Sequence, residues 1–188
     1  MATATAAACL AASIAFFIGA GSDPTATANN VRSGETLLRS QFAVFGTASE
    51  ASEPGNLLTP ERLGRLALKD ASIQRLAVPV GVVWVGADDE RICIAAQLNT
   101  TAADRGACVR TAQALDTGVY TLGQDRGTSQ AEVAALIPDG VTAVTFVLAN
   151  GDRQAAEVTD NGVFATLPAL PERVTFQDRD GAQRSVRL

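Results

Sequence analysis

The stretch Ile137-Pro138-Asp139-Gly140-Val141-Thr142-Ala143-Val144-Thr145-Phe146-Val147-Leu148-Ala149-Asn150-Gly151 decides the fold. Two turn dipeptides, Asp139-Gly140 and Asn150-Gly151, bracket a run in which Val144, Phe146 and Leu148 alternate with other side chains. That period of two is the signature of a strand with one face buried. Asp-Gly and Asn-Gly favour the positive φ of type I′ turns, the tight links between antiparallel strands. The pattern continues downstream through Asn161-Gly162 and Asp180-Gly181, with Val186 and Leu188 alternating against Ser185 and Arg187. Residues 131 to 188 therefore read as an antiparallel meander joined by four such turns.

Working upstream, Val119 to Leu122 and Val133 to Ile137 read as two more strands, separated by a polar loop from Gln124 to Gln130. Val80, Val82 and Trp84 alternate with Val83 and Val85, so both faces are apolar, as in a strand covered on two sides. Arg91 to Leu98 returns as a strand after Asp88-Asp89-Glu90, with Ile92, Ile94, Ala96 and Leu98 on one face and Cys93 on the other. Residues 99 to 116 read as a connection with a short helix around Val109 to Leu115. The expected fold is mainly β, an antiparallel meander or sandwich of about 8–9 strands. Two short helices precede it. One spans 34 to 45, with Ser33 as N-cap. The other starts at Thr59-Pro60-Glu61, which supplies an N-cap, a proline at the first helical position and an acid in the first turn. Leu63, Leu66 and Ala67 give it an apolar stripe.

The first 22 residues carry no charged side chain, and the run from Cys9 to Gly21 is the most hydrophobic in the chain. Its length suits the core of a signal peptide. Ala26-Thr27-Ala28 is a small-x-small pattern that predicts cleavage after Ala28. A retained membrane anchor is the rival reading, with membrane contact confined to residues 1–22. Cys9 stands at the start of the apolar run instead of following it, so it does not form a lipidation site. Residues 1–28 are thus expected to be a signal peptide or N-terminal anchor with a hydrophobic leader helix. Residues 29–78 are expected to be a linker and helical lead-in, and residues 79–188 a β-rich domain.

Composition excludes more than the motifs establish. The chain has no histidine, which removes Ser-His-Asp and Cys-His nucleophile systems and most zinc or copper sites. The net charge is −5 and no stretch concentrates Lys or Arg, so the sequence offers nucleic acid no footprint. Every basic residue except Lys69 is arginine, as high-GC coding would produce. Asp88-Asp89-Glu90 and Asp178-Arg179-Asp180-Gly181 lack the ordered oxygen ligands of a calcium loop and sit where hairpin turns belong. No catalytic residue, metal site or cofactor is implied. Asn99-Thr100-Thr101 fits a glycosylation sequon by accident of composition, and Trp84 reads as core. Cys93 and Cys108 are expected to form a disulfide, because the leader points to an oxidising compartment.

The pattern of Ile137 to Val141, Asn150 to Asp152, Asp160 to Pro168 and Val174 to Gly181 resembles a set of uncharacterised exported or single-pass membrane proteins of high-GC Gram-positive bacteria with a C-terminal β-rich module. Ile92-Cys93-Ile94 and Phe42-Ala43-Val44-Phe45 are similar too. The resemblance implies a β architecture and an extracytoplasmic location, secreted or anchored by the N-terminal segment. It carries no activity. The expected role is a non-catalytic cell-envelope protein whose β module binds or scaffolds an extracytoplasmic protein or envelope component. The alternatives are the ectodomain of a single-pass envelope sensor or regulator, and a carboxylate-based secreted hydrolase, which would need two acids converging in a pocket.

Overall fold

A computed structural model describes residues 39–46, 72–76, 78, 82–88, 90–98, 105–124 and 127–188. The expected leader, its cleavage point after Ala28, the helix from Thr59 and the sequon at Asn99 all lie outside the described residues. Within them no helix is long and apolar enough to cross a membrane.

Among the described residues eleven strands form three antiparallel sheets. The first sheet carries β1 (Ser72–Leu76), β2 (Val82–Ala87), β3 (Arg91–Gln97) and β4 (Arg105–Arg110) in simple up-and-down order. A short helix, α1 (Thr111–Thr117), then leads to the second sheet, in which β5 (Val119–Gln124), β6 (Ala131–Leu136) and β9 (Gly162–Leu167) are neighbours in that order. The third sheet runs β11 (Gln183–Arg187), β10 (Pro171–Gln177), β7 (Ala143–Leu148), β8 (Arg153–Glu157). Helical residues 39–41 and a 3₁₀ turn, Ala43–Phe45, pack onto this framework from the N-terminal side.

The second sheet is the middle layer, and the composition of β6 shows why. All six of its residues are buried. Ala134 and Leu136, with Val119 of β5, face the first sheet, where they join Val83, Val85, Ile92 and Ile94. Val133 and Ala135 face the third sheet, meeting Val144, Phe146, Val174 and Phe176. A strand covered on both sides cannot alternate apolar and polar residues. Alanines on both faces also let two layers pack closely against it.

Beyond β4 the expected meander is corrected. Hairpins β7–β8 and β10–β11 exist, but β6→β7, β8→β9 and β9→β10 each change sheets. Lettered A to G from β5, the two sheets read A-B-E and G-F-C-D. This is the immunoglobulin type of sandwich order, with the fourth strand moved to the other sheet. The chain changes sheets because two stacked layers bury the apolar stripes of β7, β9 and β10 together. A single-layer meander would expose them.

The turns differ from expectation in detail. Only Asp160 (φ 46) and Asn161 (φ 64) are non-glycine residues with positive φ among the described residues. They are the central pair of a two-residue turn closed by Thr159 N–H to Gly162 O at 2.9 Å and Gly162 N–H to Thr159 O at 2.7 Å. The I′-type pair thus lies one residue before Asn161-Gly162. At Asn150-Gly151 and Asp180-Gly181 only the glycine is left-handed, and Gly151 N–H and Gly181 N–H reach back to Leu148 O and Asp178 O at 2.9 Å. That is the three-residue hairpin loop with a terminal αL glycine. Asp139-Gly140 makes no hairpin. It carries the chain from the middle sheet to the third.

Two strands were not expected. β1 lies within the stretch read as helical lead-in, and β4 within the stretch read as connection. The Arg105–Arg110 segment carries a glycine and two arginines, and polar ends hide its short alternation of Ala107 and Val109. The helix after it begins at Thr111, not Val109, and ends at Gly118. There φ is +75°, and an added Cβ would lie 2.6 Å from Leu136 O, so only glycine fits.

Candidate functional site

Cys93 and Cys108 are disulfide-bonded. Both sit in strands and face each other directly in the β3–β4 register, with Cα atoms 4.1 Å apart. The bridge therefore staples two neighbouring strands; it does not pin a loose loop to the sheet, as the reading of 99 to 116 as a connection implied. Cys93 points away from the inter-sheet core, on the same face as Trp84 and Ala95, which form a separate small cluster with Ile73 and Val82. Trp84 is 4% exposed, in keeping with its reading as core. Its indole Nε1 has no hydrogen-bond partner among the described residues.

The acidic turns are explained by local hydrogen bonding. Asp88 Oδ1 accepts from Glu90 N–H at 2.9 Å and Arg91 N–H at 2.8 Å. Asp178 Oδ1 accepts from Asp180 N–H at 3.0 Å and Ala182 N–H at 2.8 Å. In each turn the first carboxylate stands in for a backbone acceptor, which is what aspartate does at such positions. Among the described residues no cluster of three metal-ligating side chains occurs.

A polar cavity of about 160 Å³ opens at one end of the molecule, between α1, the β6–β7 link and the β10–β11 turn. Asp116, Asp139, Asp178 and Asp180 line it with Arg179 and Arg184. Four carboxylates in one cavity are what a hydrolase would require, so their state matters. Arg184 Nε donates to Asp178 Oδ2 at 2.8 Å and Nη1 to Asp116 Oδ1 at 3.2 Å. The Arg184 bond, then the Ala182 and Asp180 amides, hold the Asp178 carboxyl below its ordinary range, and the same partnership raises the Arg184 guanidinium. A general acid needs the opposite shift. Arg179 is spent on Gln41, whose amide oxygen, turned toward it, accepts from Nη1 at 2.9 Å and Nη2 at 3.1 Å.

Asp139 belongs to a second arrangement that sequence reasoning missed. Its Oδ1 accepts from Ala43 N–H at 2.9 Å and from Asn161 Nδ2 at 2.7 Å. Asn161 Nδ2 also donates to Ile137 O at 2.9 Å, and Asn161 Oδ1 accepts from Val44 N–H at 3.1 Å. Asp139 N–H donates to Gln41 O at 2.8 Å. Two turn residues, separated by 22 positions, thus clamp the segment around Phe42 onto the sandwich. Phe42 is fully buried and meets Phe45 edge to face at 6.3 Å. The turn propensity of Asn161 was visible in the sequence. The side-chain amide that satisfies a third strand of chain was not, because nothing local marks it.

Tyr120 faces the third sheet with its hydroxyl buried and without a partner among the described residues, and burial pushes its phenol far up. Glu132 is the buried acid of the described residues, 3% exposed and engaged in an interaction of its own. Neither lies in the polar cavity. Comparison of the chain with protein-family profiles, with curated proteins and with solved structures finds no match in any of the three.

Proposed function

We propose that the chain is an exported or membrane-anchored, non-catalytic component of the cell envelope, a β module that binds or scaffolds an extracytoplasmic partner. The observation that carries this reading is the Cys93–Cys108 bridge. Disulfides persist in oxidising compartments and are rare in reducing ones. The apolar run from Cys9 to Gly21 supplies a route there. The absence of histidine and the engaged state of the Asp116, Asp139 and Asp178 carboxylates favour binding over catalysis. The resemblance to exported high-GC Gram-positive proteins points the same way. Cell fractionation with N-terminal sequencing and thiol titration under denaturing conditions tests it. Oxidised Cys93 and Cys108 in an extracytoplasmic fraction are expected; two free thiols in a cytosolic fraction would overturn it.

One observation favours the sensor variant of the same reading. The segment that follows the expected anchor is held to the sandwich by Asn161, Asp139 and buried Phe42. A load or ligand felt by the sandwich would reach the N-terminal side through that clamp. In the sensor case the N-terminal sequence of the mature protein begins upstream of Ala28; in the secreted case it begins at Asn29.

A further inference from the structure

The outward face of the third sheet carries a feature that the linear sequence hides. Val144, Phe146, Val174 and Phe176 point into the core, so the residues alternating with them point away from it. Reading across the strands, Arg187 of β11 lies opposite Arg173 of β10, Arg173 opposite Val147 of β7, and Val147 opposite Arg153 of β8. Three arginines thus form one row across four strands, spanning roughly 14 Å at the usual strand spacing. The next row, Ser185, Thr175, Thr145 and Ala155, is small and neutral.

Val147, 9% exposed between Arg173 and Arg153, is covered by their stems, but the fold makes no use of the charged heads. Like charges directly opposite on an antiparallel pair destabilise it. The arginines are exposed, and no ion pair to any of the three occurs among the described residues. Glu157 shares the face, but four residues along β8, about 13 Å away. Asp152 is tied to Asn150 Nδ2 at 2.7 Å in the adjoining turn. Glu172 is exposed beside Arg173 at the rim. At the same end of the sheet, the β9–β10 link presents Leu170, 42% exposed and the one exposed large hydrophobic side chain of the described residues.

We propose that this row and Leu170 form a docking surface for an acidic segment of a partner protein. The inference rests on the binding-module reading and names the partner's chemistry. Arginine forks pair bidentately with carboxylates, and arginine with an apolar anchor is the composition of interface hot spots. The net charge of −5 and the rim acids Asp152 and Glu172 repel an extended polyanion such as an anionic membrane or nucleic acid. They are compatible with a few discrete carboxylates, and they fix register by repelling a partner that is misplaced.

The test uses the full oxidised chain and a fluorescein-labelled peptide of alternating Glu, Asp and Leu, about 12 residues long, read by anisotropy at low salt and again at a Debye length of about 8 Å. Binding in the micromolar range that weakens with salt is expected. It should fall at least tenfold in Arg173→Glu/Arg187→Glu and stay unchanged in Arg91→Glu, an exposed control on the first sheet. Arg187→Glu alone turns a repulsive pair into an attractive one, so its melting temperature should hold or rise, which separates lost binding from lost fold. No binding to the peptide at about 1 mM, equal binding by the double variant, or stronger binding to phosphatidylglycerol vesicles than to the peptide would each overturn the proposal. If the chain is nevertheless exported and oxidised, the binding-module reading stands and only this surface falls.

Discussion

The first sheet and the sandwich hold themselves together in different ways. The sandwich of β5 to β11 closes without a covalent link. Its third sheet packs on the apolar face of β6, its turns satisfy their own backbone groups, and Gln154 Nε2 of β8 bonds Thr166 O of β9 across the sheets at 3.0 Å. The first sheet packs its inner face against the middle sheet, buries Trp84, Cys93 and Ala95 on the other, and carries the bridge between β3 and β4. The middle sheet, packed on both faces, is stabilised by burial alone, while β4, none of whose residues is buried, benefits from constraint of its unfolded state. Because the sandwich supplies one wall of the first sheet's core, dependence should run in one direction.

The largest effect should come from breaking the shared side. Phe146 is fully buried against β6 and β10. Phe146→Ala should cost about 3–5 kcal/mol by transfer and cavity together. The first sheet should unfold in the same transition, since Leu136 and Ala134 then have no stable strand to sit on. Two separate transitions in calorimetry would show that the first sheet is independent and the comparison mistaken.

Breaking the covalent side should be milder and more local. Cys93 and Cys108 close a loop with a sequence separation of 15, for which chain entropy gives about 3 kcal/mol. Cys93→Ser should lower the melting temperature by several degrees. Amide exchange should accelerate in β3 and β4 while β6, β7 and β10 stay protected. Uniform loss of protection across all three sheets would refute the asymmetry.

Asn161 probes the link between the sandwich and the N-terminal segment. Asn161→Ala removes an acceptor for Val44 N–H and donors to Ile137 O and Asp139, and places a side chain at φ 64 that lacks asparagine's tolerance. A loss of about 1–3 kcal/mol is expected. Chymotrypsin should then cut after Phe42 or Phe45, which are buried in the parent chain. Asn161→Gly keeps the backbone and loses only the side-chain bonds. If it resists protease as well as the parent does, the clamp does not hold the segment.

How much of this was legible depends on range. Strand positions from 82 to 98 and from 119 onward followed from alternation, because burying one face imposes a period of two locally. Turn sites followed from Asn-Gly and Asp-Gly pairs for the same reason. Sheet changes did not, since the sequence around Pro138 or Pro168 states that a strand ends and not which layer the next one joins. β4 was hidden because an edge strand buries little, leaving Ala107 and Val109 as its only apolar signal toward the core. The cysteine pair was readable from compartment chemistry, but its cross-strand placement required knowing β4. The arginine row was least readable: Arg153, Arg173 and Arg187 are far apart in the chain, and only strand order puts them side by side.

The smallest expected effect concerns the β10–β11 turn, where the sandwich relies on charge. Asp178 accepts from Arg184 and two backbone amides at the protein surface, and its carboxyl lies below the ordinary value of 3.8. A lowered folded value means that the ionised form is favoured by folding. Its contribution is therefore complete above about pH 4 and is lost as pH falls through the folded value. Asp178→Asn removes that contribution at every pH, since the amide cannot pair with Arg184 as a charge. The parent should melt slightly higher than the variant at neutral pH, with the gap closing in acid. Phe146→Ala, by contrast, should shift the whole curve down without changing its acid limb relative to the parent. Solvent screens a surface pair of this kind, so raising the salt should shrink the neutral-pH gap as well. A gap between parent and Asp178→Asn that persists unchanged to pH values well below 3.8 would mean that Asp178 acts through the shape of its turn, through Oδ1 and the Asp180 and Ala182 amides, and not through its charge on Arg184.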